Sequence, residues 1–101
     1  MSDEPIIPLE TVASALGDVS RWLILGELST GEQLMVVEIA EKIGRSPDNT
    51  SKHLAVLRKA GMVVTNRAQL YSIPKRYLPE PGKRLADFGH CLLRLETTPA
   101  S

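Results

Sequence analysis

One cysteine, one tryptophan, one phenylalanine and two tyrosines are all that 101 residues hold of the side chains on which several protein classes depend. A lone Cys91 excludes an intrachain disulfide framework, and the absence of any Cys-x-x-Cys pair or His/Cys cluster excludes a structural zinc of the usual spacing. No uncharged stretch, the apolar Leu34 to Val37 among them, approaches the length needed to cross a bilayer. The opening MSDEPIIPLE is acidic where a secretion signal would be basic, so a cytoplasmic, reducing location and no membrane partner are expected. There is no phosphate-cradling glycine loop, no nucleophile paired with a base and no catalytic metal set, and an enzyme is not expected. Ser51 and His53 make no dyad, because residues two apart on a helix face different ways. No cofactor is expected.

Net charge is also missing: twelve basic residues balance twelve acidic ones. The balance hides a separation. Residues 1–44 carry eight acids and only Arg21 and Lys42 as bases, whereas residues 45–76 carry Arg45, Lys52, Arg58, Lys59, Arg67, Lys75 and Arg76 against Asp48 alone. A block this basic is the electrostatic footprint that a phosphate backbone attracts.

The hydrophobic pattern places these charges on a single domain, 1–101, mainly α with a small β-hairpin. Leu9, Val12, Ala13 and Leu16 recur at helical spacing until Gly17, and Asp18 is a good N-cap for a second helix reaching Ser29, so the first helices occupy 9–29. Trp22, Leu23, Leu25 and Leu28 nearly encircle that second helix, which predicts burial on most sides. After a short strand at Gln33 to Met35, Val36, Ile39, Ala40 and Ile43 mark one face of a third helix, with Gly44 at its C' position. Ser46, Pro47 and Asp48 then specify a helix start in three ways: a cap, a first position needing no N–H, and a negative charge at the positive end of the dipole. On this fourth helix Thr50, Leu54 and Leu57 fall on one side and Asp48, Ser51, Lys52, Ala55 and Lys59 on the other.

Two helices joined by a tight Gly44-Arg45 turn, the second presenting short polar groups and a lysine, predict a helix-turn-helix over 36–60. Met62 to Thr65 and Leu70 to Ile73 are β-prone and separated by Asn66, Arg67, Ala68 and Gln69, which predicts a hairpin wing over 62–73 with Arg67 near its tip. Beyond Pro74, Pro79 and Pro81, the residues Leu85, Phe88, Leu92 and Leu95 recur as an amphipathic helix over 82–97. The architecture expected is a winged helix-turn-helix whose N- and C-terminal helices pair across a two-fold axis in a homodimer.

The stretches LGDVSRWLIL, VEIAEKIG and SPDNTSKHLAVLRKAGMV resemble the ArsR/SmtB family of winged-helix repressors over about Leu16 to Ile73. Ser46, Ser51, His53, Leu54, Leu57, Ala60 and Gly61 fall where that family's pattern wants them, as do Asp18, Arg21, Ile24 and Leu25 upstream. The resemblance implies a dimeric repressor of transcription that binds double-stranded DNA with an inverted repeat, its fourth helix in the major groove. Residue chemistry supports matching roles. Asn49, Ser51 and Lys52 are placed to meet base edges or phosphates, the Ser46 end offers free backbone N–H groups, and Arg45, Arg58, Lys59 and Arg67 suit phosphate contacts. His53, beside the buried stripe, reads as a hydrogen-bonded structural residue.

Departures from the family pattern bear on sensing. Met35 and Val37 stand in the third helix region where well-known metal sensors of the family carry cysteines, which removes a thiolate site. Asp87 and His90, spaced i, i+3 on the expected last helix, are weak metal candidates, and Cys91 reads as a small buried residue rather than a redox switch. A small-molecule or redox effector is left open. Leu23 replaces a charged residue common in the family and implies an additional packing surface. Two other readings compete: a winged-helix protein-interaction module, and an architectural DNA-binding protein without sequence preference.

Overall fold

The computed structural model describes residues 7–79, 85–88 and 92–94. Helices α1 (Leu9–Ala15), α2 (Val19–Leu28), α3 (Val36–Ile43) and α4 (Pro47–Lys59) come first. A hairpin of β1 (Val64–Thr65) and β2 (Tyr71–Ser72), a single 3-10 turn at Lys75–Tyr77, and a second hairpin of β3 (Leu85–Asp87) and β4 (Leu92–Arg94) follow. Among the described residues no helix is long and apolar enough to cross a membrane.

Local chemistry sets the helix ends. The Asp18 carboxylate accepts the Ser20 N–H at 2.7 Å and caps α2. The Glu38 carboxylate reaches back to the Met35 N–H at 2.8 Å at the start of α3. At the end of α3 the backbone turns left-handed at Gly44 (φ 72°), so that Arg45 N–H bonds Ala40 C=O and Gly44 N–H bonds Glu41 C=O. This is the Schellman arrangement, and only glycine adopts its conformation without a Cβ penalty. Ser46 follows at once, its Oγ accepting the Asn49 N–H at 3.1 Å to start α4. The same closure recurs at Gly61 (φ 84°), where Met62 N–H bonds Leu57 C=O and Gly61 N–H bonds Arg58 C=O.

The core lies where α2, α3 and α4 meet. Thr50, Leu54 and Leu57 are fully buried along one stripe of α4, against Ile24, Leu25 and Leu28 of α2 and Ile39 and Ile43 of α3. Burying each leucine contributes about 1.5–3 kcal/mol. Leu23 is half-buried and packs on this core, which accounts for the residue that stands where the family pattern is often charged. Trp22 departs from the expectation of an encircled α2: it is 36% exposed and lies on the outside, its indole N–H donating to Leu16 C=O. The amphipathic indole explains why an apolar pattern overstated burial there.

The wing forms as expected, with Val64 opposite Ser72 and Thr65 opposite Tyr71. Asn66 Oδ1 accepts the N–H groups of Ala68 and Leu70, and Gln69 takes a left-handed conformation (φ 62°), so a short loop reverses the chain. Leu34 adds a third line of pairing through two backbone bonds with Tyr71, which ties the wing to the segment before α3.

The helix expected over 82–97 is not what residues 85–87 and 92–94 form: they pair as antiparallel strands, with Ala86 opposite Leu93. Ala86 and Phe88 are buried while Asp87 between them is exposed, an alternation of period two that the leucine spacing concealed. Gly89 separates the strands in sequence and would have cost a helix about 1 kcal/mol. Phe88 packs on Tyr77 with ring centroids 5.0 Å apart, anchoring this hairpin to the 3-10 turn.

The Thr50 hydroxyl is buried in the core without a hydrogen-bond partner. Thr50→Val keeps the shape and removes the stranded oxygen, so denaturant unfolding should show a gain of about 1 kcal/mol.

Candidate nucleic-acid interface

With Thr50, Leu54 and Leu57 fixed inward, the opposite surface of α4 is determined by geometry. Asp48, Asn49, Ser51, Lys52, Ala55, Arg58 and Lys59 are all exposed. Ser46, Asn49, Ser51 and Lys52 gather at the N-terminal half, where Pro47 carries no N–H, the Asn49 and Thr50 N–H groups are taken by Ser46 Oγ and Ser46 C=O, and that of Asp48 is left to face outward. Arg58 and Lys59 stand in the last turn, about 12 Å further along at 1.5 Å per residue, where they also complement the negative end of the helix dipole. Lys59 and Val56 line one wall of a groove of about 430 Å³ whose other wall is Glu10, Thr11 and Ser14 of α1. Arg67 is exposed on a separate element, the turn of the β1–β2 hairpin.

Arg45 is less free than its neighbours. Its Nε donates to Ser20 Oγ at 3.1 Å and its Nη1 to Ile43 C=O at 3.3 Å, which ties the turn between α3 and α4 to the first turn of α2. The same turn of α2 also grips the middle of α4. Arg21 Nη1 lies 3.1 Å from His53 Nδ1, and His53 Nε2 lies 3.9 Å from Asp18 Oδ1. Arg21 Nε and Nη2 donate to the Ala15 and Ser14 carbonyls at the end of α1. His53 is thus hydrogen-bonded and structural. The part played by Arg21 and Ser20 was not read from the sequence. The Asp18-x-x-Arg21 spacing, which puts both side chains in one helical turn, was the available signal.

Residues 11–66, more than half of the chain, match the family model for a helix-turn-helix domain. The chain belongs to the helix-turn-helix family of transcriptional regulators. It is 34% identical over 70 residues to the uncharacterized HTH-type transcriptional regulator YuzN of Bacillus subtilis, covering 63% of this chain and 76% of YuzN. It is 38% identical over 74 residues to the HTH-type transcriptional regulator NmtR of Mycobacterium tuberculosis, covering 65% of this chain and 61% of NmtR. The crystal structure of NolR from Sinorhizobium fredii superposes with a TM-score of 0.58 at 37% identity, over 64% of this chain and 67% of that one. These likenesses bear out the ArsR/SmtB resemblance and the winged helix-turn-helix fold, and the chain is a DNA-binding transcriptional regulator.

The matched segment contains every candidate contact of the regulator from Arg45 to Lys59 and stops one residue before Arg67. The weak metal candidates fare differently. Asp87 lies exposed on β3, where helical i, i+3 spacing does not apply, and His90 and Cys91 lie outside the described residues. No group of three or more potential metal ligands occurs among the described residues.

Asp18 holds its carboxyl below the ordinary value of 3.8, chiefly because the Ser20 N–H bonds the charged form, with His53 and Arg21 adding to the effect. A lowered folded-state value means that the carboxylate stabilises the fold above the unfolded-state value and that this contribution is lost as pH falls through the folded one. Asp18→Asn should therefore lower the melting temperature at neutral pH, with the gap from wild type closing as pH drops below 3.8.

Proposed function

We propose that the regulator is a cytoplasmic homodimeric repressor that recognises an operator with inverted symmetry. α4 enters the major groove and the β1–β2 hairpin approaches the flanking backbone. The observation that carries this reading is the division of α4: a fully buried stripe of Thr50, Leu54 and Leu57 opposite an exposed face of short polar and basic residues. Asn49, Ser51 and Lys52, near the helix start, are assigned to base edges, and the Asp48 N–H in the first turn to a phosphate. Arg58, Lys59 and Arg67 are assigned to phosphates. Arg45 joins them through whatever donors its bonds to Ser20 and Ile43 leave over.

One small domain makes few contacts, which favours a dimer. Three or four phosphates per protomer give roughly six to eight in all, and the logarithm of affinity should then fall against the logarithm of salt with a slope of about −5 to −7. Exposed Leu9 on α1 offers an apolar surface for the pairing. Occupying a promoter and excluding polymerase is the action that such a dimer would perform.

Selection of bound duplexes from a random DNA pool tests the reading. An inverted repeat with half-site centres about 34 Å apart, or a multiple of it, is expected. Recovery without a motif would indicate coating of DNA, and no recovery would leave a protein-interaction module. Measured on the selected site, Lys52→Ala should change base preference by about 1–3 kcal/mol, whereas Lys59→Ala should weaken all sequences alike and reduce the salt slope by about one. Indistinguishable binding profiles for the two variants would contradict the assigned roles.

A further inference from the structure

We infer that Arg21 and His53 are positioning residues that hold α4 in its DNA-binding orientation, and that protonation of His53 releases the hold. The inference rests on α4 being the element that meets DNA.

A guanidinium carries five N–H donors and no acceptor. Its 3.1 Å contact with His53 Nδ1 therefore requires a lone pair on that nitrogen. The neutral ring then bears its proton on Nε2, the nitrogen that faces Asp18 Oδ1 at 3.9 Å. Because Arg21 also binds the Ala15 and Ser14 carbonyls, one side chain joins the end of α1 to the middle of α4. Arg45 and Ser20 make a second attachment, immediately before the α4 N-cap Ser46. Side chains that read base edges need supporting groups locked in place, since small displacements break their hydrogen bonds.

Protonation puts N–H groups on both ring nitrogens. Nδ1–H then faces a cation that can only donate, so a hydrogen bond is replaced by like-charge contact at the 3.1 Å position. Nε2–H faces a carboxylate, and closing the 3.9 Å gap to Asp18 draws the ring away from Arg21. The ring has two partners of opposite charge and its protonation state selects between them. Both come from the first turn of α2; on α4 itself Asp48 and Lys52 lie on the exposed face, away from the Arg21 contact. The His53 side chain is 16% exposed, so a proton reaches it without unfolding.

The test compares wild type, His53→Asn and Arg21→Gln for binding to the selected duplex at about pH 5 and about pH 8, either side of the range in which imidazoles generally titrate. Asparagine places Oδ1 where the ring has Nδ1 and does not titrate. The variant should bind within about twofold of wild type at the higher pH, while wild type alone loses about fivefold or more on acidification relative to it. Arg21→Gln should be weakened at the higher pH and show no such loss. Parallel pH profiles for all three proteins would overturn the inference. Nitrogen NMR of the ring in the free protein supplies an independent reading: the Nε2–H tautomer is expected at the higher pH, and an Nδ1–H tautomer would refute the hold whatever DNA binding shows. If wild type binds no duplex at either pH, the DNA reading itself fails, and the tautomer still reports separately on the Arg21 contact.

Discussion

The side chain of Arg21 is the constraint on which the arrangement of helices depends. α1 is only seven residues long, and the Ser14, Ala15 and Leu16 carbonyls gather at its C-terminal end. Arg21 donates to Ala15 C=O and to Ser14 C=O, which also accepts the Gly17 N–H, Trp22 donates to Leu16 C=O, and the Nη1 edge of the guanidinium meets the imidazole of His53. A planar fork with donors on several sides does this where a lysine would supply a single point charge. The apolar core between α2, α3 and α4 brings these helices together without direction. Arg21, with Asp18 and Ser20 beside it, adds the directional contacts that fix how α4 sits on α2.

That placement matters because α4 is specified so sharply at its own ends. Gly44 closes α3 and two residues later Ser46 opens α4, so the turn has no spare residue to absorb a change in angle. Gly61 closes α4 with the same geometry and delivers Met62 and Val63 straight into the core before the wing begins. α4 is capped at both ends, and its basic residues lie on the face that the fold turns outward. Zero net charge is compatible with DNA binding for this reason: the acids of the N-terminal half lie on other elements.

Period and capping made most of the fold legible. α1 to α4 and the wing occur where apolar spacing, Asp18, Gly44 and Ser46 indicate, because these signals act within a few residues of themselves. The C-terminal segment was misread for a physical reason. Leu85, Phe88, Leu92 and Leu95 fit a helical period in the sequence, and only the burial of Ala86 and Phe88 around exposed Asp87 marks a strand instead. Trp22 shows the related limit that an amphipathic side chain counts as apolar in a pattern and still faces water.

The sequence by itself determined the helices α1 to α4, the buried stripe of α4, the short polar and basic character of its opposite face and the segregation of charge, since each depends on neighbours at fixed local spacing. Only the tertiary structure decided that Arg45 is tied to Ser20, that Lys59 shares a groove with Glu10, and that Asp18 and Arg21 meet His53, residues 35 and 32 positions apart in the chain. Contacts at that separation follow from how helices pack, and packing angles are set by the whole core.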